Sequence, residues 1–529
     1  MVGIPIILVL FLYIPFLGNA FVSDDIGGIV QSSSTWTIAS SMGLPKVIHL
    51  GGLVLYGISH TFGIVPWPFR LVNILFHSAN VIMVWLFVRK HSKPATAFVA
   101  CLLFAVHPLA IESVTWISGG IAYAYYAFFF LVSLYWYRNT VFVKQLCSVL
   151  FFALALLFSE KAVPLVCVYI LYEWVFGDVK QHWKHLVPYV VICSAFVFFY
   201  VFRIGERLVD LEAYGYYSTA GYYNPLIQIP VAISSYLELF VWPQRLTLYH
   251  SSFRYPPWEW GVRIMVTLGF FCASAYGIWK KRPFGFWLLW VICGLGVTLL
   301  PLKVAWIVAE RYVYVGYIGL CVVSAMLFDT LLNSKRLNVL AVCGLVVCCV
   351  ALGTRTIVRN NDWRTEDSLW ISTAIVSSNN ELSWNNMGDV FARHGEFDKS
   401  IGAFQRAIEI NPKYADAYHN LGNTYVMMEA YDRAIPYFEK ALSIRPNLWQ
   451  SYQELGRIAY VKKEFDKAVE YFEQAIAIRP NEALLWTNVC QVYRASGETE
   501  KARQAVKHAL SIDPQNQQAR ALEKLLKEQ

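Results

Sequence analysis

Two adjacent carboxylates, Asp24 and Asp25, follow directly on the first apolar run of the chain, Ile4 to Leu17. An acidic pair where a first membrane helix surfaces is a poor choice for packing and a good one for chemistry beside a lipid substrate. One carboxylate can serve as general base toward a hydroxyl, and a phosphate leaving group needs little acid help. Neighbours in a loop point in different directions, so one of the pair is read as the base and the other as orienting it or the acceptor. The competing reading is a helix N-cap in a solvated loop.

Further polar groups recur inside or at the rims of apolar runs, where charges are costly and normally face a cavity or a partner. Asn73, His77 and Asn80 stand at i, i+4 and i+7, on one face of a helix, and either hydrogen-bond between helices or line a polar cavity. His107, Pro108 and Glu112 close another run, with Trp116 one turn beyond, and Pro108 can open a short new helix. Glu160 and Lys161 mark a third boundary. Glu310, Arg311 and Tyr312 mark a fourth, where an arginine fork suits a lipid phosphate and a structural ion pair competes. No CxxC or His/Cys ligand spacing occurs among the eleven cysteines, so neither a structural zinc nor a disulfide framework is indicated.

These residues must be positioned by membrane helices. The 529 residues are 57% hydrophobic, above ordinary soluble domains. Residues 359–529 hold 21 basic and 23 acidic residues, residues 1–358 hold 23 and 13, so the chain splits into a membrane part and a soluble part. At about 20 apolar residues per crossing, spans are predicted at 2–20, 68–88, 95–115, 120–137, 142–158, 162–177, 186–204, 262–279, 284–302, 311–329 and 337–356. Basic clusters fall on every second loop: Arg89 to Lys93, Arg138 with Lys144, Lys180 to Lys184, Lys280 to Arg282, and Lys335 with Arg336. Such loops stay cytoplasmic, which puts the acidic pair and the soluble part on the other side and explains the basic excess better than nucleic-acid binding does. Val47 to Trp67, rich in Gly and His, is read as interfacial. Leu226 to Trp242 would break the alternation if it crossed, and is read as re-entrant or interfacial.

The soluble half is a repeat of 34 residues in four registers, 381–414, 415–448, 449–482 and 483–516. Gly388, Gly422, Gly456 and Cys490 share the eighth position, and Pro412, Pro446, Pro480 and Pro514 the thirty-second. This is the tetratricopeptide pattern, with 359–380 as junction and 517–529 as a capping helix. Its groove should be lined by Asn385, Asp389, His419, Asn423, Gln453, Arg457, Gln491 and Arg494, a mixed polar surface suited to extended peptide.

Taken together, Phe21 to Asp25, Arg70 to His77, His107 to Trp116, Glu310 to Tyr314 and Trp363 to Trp370 resemble motifs of one family. It is the transmembrane and tetratricopeptide-repeat O-mannosyltransferase-like (TMTC-like) family, of GT-C glycosyltransferase architecture. The resemblance spans nearly the whole chain. It departs at Glu160-Lys161, where many relatives carry Lys-Glu, and the repeat array is short for the animal members. Absence of any Asn-x-Ser/Thr sequon leans toward a bacterial relative. The implied fold is all-α: a polytopic bundle of about eleven spans followed by a tetratricopeptide solenoid. The implied activity is transfer of one sugar, with inversion, from a polyprenyl-phosphate carrier to a protein Ser/Thr hydroxyl through an oxocarbenium-like transition state. Asp24 and Asp25 would be catalytic. Arg70, His77, His107, Glu112, Glu160, Lys161, Glu310 and Arg311 would bind substrate, Glu112 at sugar hydroxyls and Arg311 with Lys161 at the phosphate. No cofactor is fixed; a divalent cation is compatible with the acidic pair, but no ligand cluster beyond it is visible. Partners would be membrane lipid, the lipid-linked sugar, and a protein or peptide acceptor in the groove. The setting would be a bacterial inner membrane, or the endoplasmic reticulum in a eukaryote, with the repeats extracytoplasmic. The alternatives are a non-catalytic scaffold for an envelope or secretion complex, a transporter or flippase (whose inverted repeat is not seen), and a transferase with another acceptor.

Overall fold

The computed structural model describes residues 2–33, 36–42, 50–213, 224–248, 250, 255–299, 307–334 and 336–528, without the side chains of 202–213 and 297. Lys335 of the last basic cluster and the ends of two predicted apolar stretches, 47–49 and 300–302, lie outside them. Helix follows helix, and among the described residues the only β pairing is an isolated bridge between His250 and Val308. The chain forms two compact units, Met1–Ser377 and Ser378–Gln529.

The first unit runs through α1 (Gly3–Tyr13), α2 (Ile38–Ser41), α3 (Leu50–Phe62), α4 (Pro66–His91), α5 (Pro94–Val106), α6 (Ile117–Trp136), α7 (Phe142–Phe158), α8 (Val166–Phe176), α9 (Val179–Ala213), α10 (Pro225–Val241), α11 (Pro257–Trp279), α12 (Pro283–Leu299), α13 (Gly316–Leu332), α14 (Asn338–Asp362) and α15 (Glu366–Val376). By length and composition five of them can cross a bilayer: α4, α6, α9, α11 and α14. The other apolar helices are shorter, so the predicted count of about eleven full-length spans is not reproduced. The reason is local. Four predicted spans meet a 3-10 turn: Ile14–Phe16 after α1, Pro108–Ser113 after α5, Glu160–Leu165 before α8, and Glu310–Val313 before α13. Irregular backbone at membrane depth is tolerated where protein encloses it, and every residue of Pro108–Ser113 is buried.

The predicted junction is also absorbed. α14 runs on to Asp362, Trp363 is fully buried, and α15 belongs to the first unit. The Nδ2 of Asn19 donates to the carbonyls of Asn360 and Trp363, tying the end of the first apolar run to the end of the last.

Contacts sort the loops into two ends. At one end Lys93 pairs with Asp329 at 2.9 Å, Arg138 donates to His182 at 3.1 Å, and His91 stacks on Phe176. The Lys281 ammonium faces the Trp174 ring there. This is the basic end. The opposite, acidic end gathers Asp25, Glu112, Glu160 and Glu310. α10 belongs wholly to the acidic end. Near its start Gln228 donates to the carbonyl of Thr298, at the last turn of α12, and Tyr236 donates to the carbonyl of Ala309. At its finish the carbonyl of Phe240 accepts from His107. A helix held at both ends by one end of the bundle does not cross it.

In the second unit, helices pair as α16 (Glu381–Arg393) with α17 (Phe397–Ile410), α18 (Ala415–Met427) with α19 (Tyr431–Ile444), α20 (Trp449–Val461) with α21 (Phe465–Ile478), and α22 (Ala483–Ala495) with α23 (Thr499–Ile512); α24 (Gln517–Glu528) packs on the last pair. Each pair is held close by a small residue on its first helix. A Cβ on Gly388, Gly422 or Gly456 would lie 2.8–2.9 Å from the ring of Phe404, Phe438 or Phe472, sixteen residues on. In the fourth repeat both partners change: Cys490 replaces the glycine and Val506 replaces the phenylalanine, both within one buried cluster. A larger residue on one helix is matched by a smaller one on the other. Gly422→Ala should therefore cost about 1–3 kcal/mol by overpacking, read as a lower thermal midpoint of the repeat unit, while Cys490→Ala should cost far less.

Candidate active site

The acidic pair is split by the backbone. Ser23 takes a left-handed conformation (φ 56°), after which Asp24 is exposed and Asp25 is completely buried. Asp25 opens a short π-helix, Ile26–Gln31, a geometry frequent at functional sites. Its Oδ1 accepts from the Ser118 amide at 2.9 Å and the Ser118 hydroxyl at 2.6 Å, while Oδ2 has no partner. The carboxylate thus sits at the N-terminus of α6, where free amides and the helix dipole favour an anion. Burial outweighs this and pushes its pKa up to about 6, with the two Ser118 bonds and Arg70 pulling back.

Arg70, read from sequence as a substrate contact, is used on the backbone. Nε donates to the carbonyl of Thr115 at 2.9 Å, Nη2 to Ala20 at 2.5 Å, and Nη1 to Leu17 and Asn19. It fastens the strap leading into Asp25 to the turn that carries Ser118. Ser118 is a positioning residue that the sequence analysis missed; its signal was a hydroxyl at the start of a helix, two residues past Trp116. Ser118→Ala should raise the Asp25 pKa further and move the acid limb of the activity–pH profile upward, a shift that a purely structural role would not produce.

The 3-10 turns Pro108–Ser113, Glu160–Leu165 and Glu310–Val313 bring the remaining acids and bases to this end. Glu112 Oε2 accepts from the Arg311 amide at 3.0 Å and its guanidinium at 3.1 Å. The Glu112 carboxylate is thus the counter-ion of the Arg311 guanidinium. The guanidinium lies 5.0 Å from the centroids of both Trp116 and Tyr312, in cation–π contact. On the same tyrosine, 5.6 Å away, stands the Lys161 ammonium, which also sits 4.7 Å over Tyr123. Glu160 reaches Lys161 at 3.8 Å. Glu310 turns instead to α14. Its Oε1 accepts from Arg359 at 3.2 Å, and both residues are fully buried; Arg359 also pairs with Asp362 at 3.3 Å. Burial acts to raise the Glu310 pKa, but Arg359, with His250 3.8 Å away, prevails and lowers it. Glu112 Oε1, Glu310 Oε2 and the indole N–H groups of Trp116 and Trp363 are buried without partners.

Other predicted residues have structural partners. His77 Nδ1 meets the Tyr314 hydroxyl at 2.7 Å, and Asn80 donates to that hydroxyl and to the Ala124 carbonyl. Asn73 donates to the carbonyl of Val114. Of the two readings of this face, interhelical bonding describes all three. His107 accepts from the Leu109 amide through Nδ1, which leaves Nε2–H to donate to Phe240. It anchors α10 and presents no nitrogen to substrate. Among the described residues no three His, Cys, Asp or Glu side chains gather as a metal site.

In the repeat unit, His419 links neighbouring repeats, with Nδ1 2.9 Å from the Ser451 hydroxyl and Nε2 accepting from Asn423. Burial lowers its pKa to about 4, so it stays neutral. Asn385 is buried and accepts from Asn420, Asp389 pairs with Arg393, and Gln453 and Arg457 both donate to Glu454. Gln491 and Arg494 are half-buried on α22.

Tetratricopeptide-repeat family models match residues 380–447 and 459–526. Over 395 residues the chain is 24% identical to "Protein O-mannosyl-transferase TMTC3" of Mus musculus, covering 66% of this chain and 42% of that protein. The Homo sapiens protein of the same name is 22% identical over 394 residues. Over these alignments the chain is similar to TMTC proteins. It aligns with less than half the length of these two TMTC relatives. Against Drosophila melanogaster Tmtc3, identity rises to 33% over 112 residues, 20% of this chain. Among solved structures, one of MamA covers 28% of this chain and 81% of its own, at 21% identity and a TM-score of 0.26.

Proposed function

We propose that this protein is a GT-C-type glycosyltransferase that moves one sugar from a polyprenyl-phosphate carrier to a protein Ser or Thr hydroxyl. The observation that carries the reading is Asp25: a buried carboxyl, one oxygen fixed at a helix N-terminus and the other unpartnered, at the same end of the bundle as Arg311 and Lys161. Asp25 takes the proton of the acceptor hydroxyl as its oxygen attacks the anomeric carbon. The bond from that carbon to the phosphate oxygen breaks, and the electron pair leaves on the phosphate with inversion. Arg311 and Lys161 face that phosphate; Glu112 keeps Arg311 in place, and Trp116 and Tyr312 exclude water. Asp24, exposed, meets the acceptor side. The similar TMTC3 proteins are named protein O-mannosyl-transferases, which makes mannose the first sugar to test.

The basic end is assigned to the cytoplasm by the positive-inside rule, which puts the reaction on the extracytoplasmic face of a bacterial inner membrane or in the lumen of the endoplasmic reticulum. The repeats, on that same side, hold the acceptor or a partner protein. The test is mass spectrometry of extracytoplasmic proteins from cells carrying wild type or Asp25→Asn. Loss of a single hexose from Ser/Thr peptides supports the reading; unchanged glycopeptides at equal expression refute it.

A further inference from the structure

Among the described residues, α14 is fastened by side-chain bonds at one half only. Its side-chain bonds to other elements run from Arg355 onward: Arg355 to the carbonyls of Pro243 and Gln244, Thr356 to Val106, Arg359 to Glu310, and Asn360 to Leu12. Toward the basic end the helix carries exposed Val339, Leu340, Val346 and Val347. Between this half, α5 and α13 lies a wedge of about 460 Å³, lined by Val99, Leu103, Phe328, Leu331, Leu340 and Leu345, with Ser324, Gly344 and Cys348 as small members. A Cβ on Gly344 would meet nothing within 4 Å. The rim of the wedge is the basic end, where Lys93, 61% exposed, bridges to Asp329 and Arg336 is exposed.

We propose that this wedge is a binding site for one anionic phospholipid, an acyl chain filling the space between α13 and α14 and the phosphate meeting Arg336 and Lys93. An apolar slot open to the bilayer takes hydrocarbon, and cationic side chains at its mouth select an anionic headgroup. The donor's isoprenoid tail shares that chemistry, but its phosphate would stand at Arg311 and Lys161, at the opposite end of the bundle. The inference is independent of the transferase reading, because it uses none of the residues around Asp25. Filling the wedge sets the lean of the helix that carries Arg359.

The test is native mass spectrometry of the full chain in mild detergent, titrated with phosphatidylglycerol and with phosphatidylcholine. Wild type should hold one phosphatidylglycerol in preference to phosphatidylcholine. Gly344→Trp, which fills the wedge from α14, and Ser324→Trp, which fills it from α13, should each lose it. Arg336→Ala should weaken it about fivefold. Retention of the tight lipid in either tryptophan variant with an unchanged thermal midpoint, or equal retention of both headgroups, overturns the proposal. So does an isoprenoid phosphate displacing the bound phospholipid one for one.

Discussion

Asp25→Asn is expected to cut sugar transfer by ~10²–10⁴-fold, the range for losing a positioned general base, while the protein becomes no less stable. Asparagine keeps an oxygen for the Ser118 amide and hydroxyl, so the geometry survives. What it removes is a charge the fold resists. A carboxyl whose folded value is about 6 instead of 3.8 costs the fold roughly 3 kcal/mol once ionised. The sign follows from the raised folded value: the favourable term is fully present below about pH 4 and is lost as pH rises through 6. Activity runs the other way, since the base must be ionised, so turnover should climb through about pH 6 and level off above it. Thermal midpoints and pH–rate profiles of wild type and Asp25→Asn check both halves. Asp24→Asn, on an exposed side chain, should cost much less and leave the profile in place.

The second large effect concerns folding. Arg359→Met removes the positive partner of Glu310 and Asp362 and leaves a buried carboxylate without its counter-ion. Breaking a buried pair from one side typically costs about 3–5 kcal/mol, enough to lower expression and the thermal midpoint together. Glu310→Gln in the same chain should recover much of the loss, because the uncompensated charge goes with it. If the single variant is as stable as wild type, Arg359 does not hold this end together.

Periodicity and residue type made the architecture legible. The 34-residue register could be read directly, because each position is repeated four times and packing demands the same small or apolar residue each time. Span lengths were harder, because hydropathy does not register where the backbone leaves the α-helix at Pro108–Ser113 and Glu160–Leu165, and the 3-10 turns have the composition of the helices they interrupt. The acidic pair was legible from its position after an apolar run; which member is buried was not, since that depends on the φ of Ser23. Arg70 and His107 look in sequence like substrate contacts. Only coordinates reveal that their donors are spent on carbonyls from distant segments. Arg359 had been placed in a junction, since nothing local links it to Glu310, 49 residues earlier.

The exchange at Cys490 and Val506 bears on how such an array can grow. A crossover falling inside a repeat would mate the first helix of the fourth unit with the second helix of the third, setting a thiol against Phe472. The reciprocal product would leave a void between Gly456 and Val506. Crossovers within the first three units keep the Gly–Phe pair intact, whereas any exchange that involves the fourth must break between whole units.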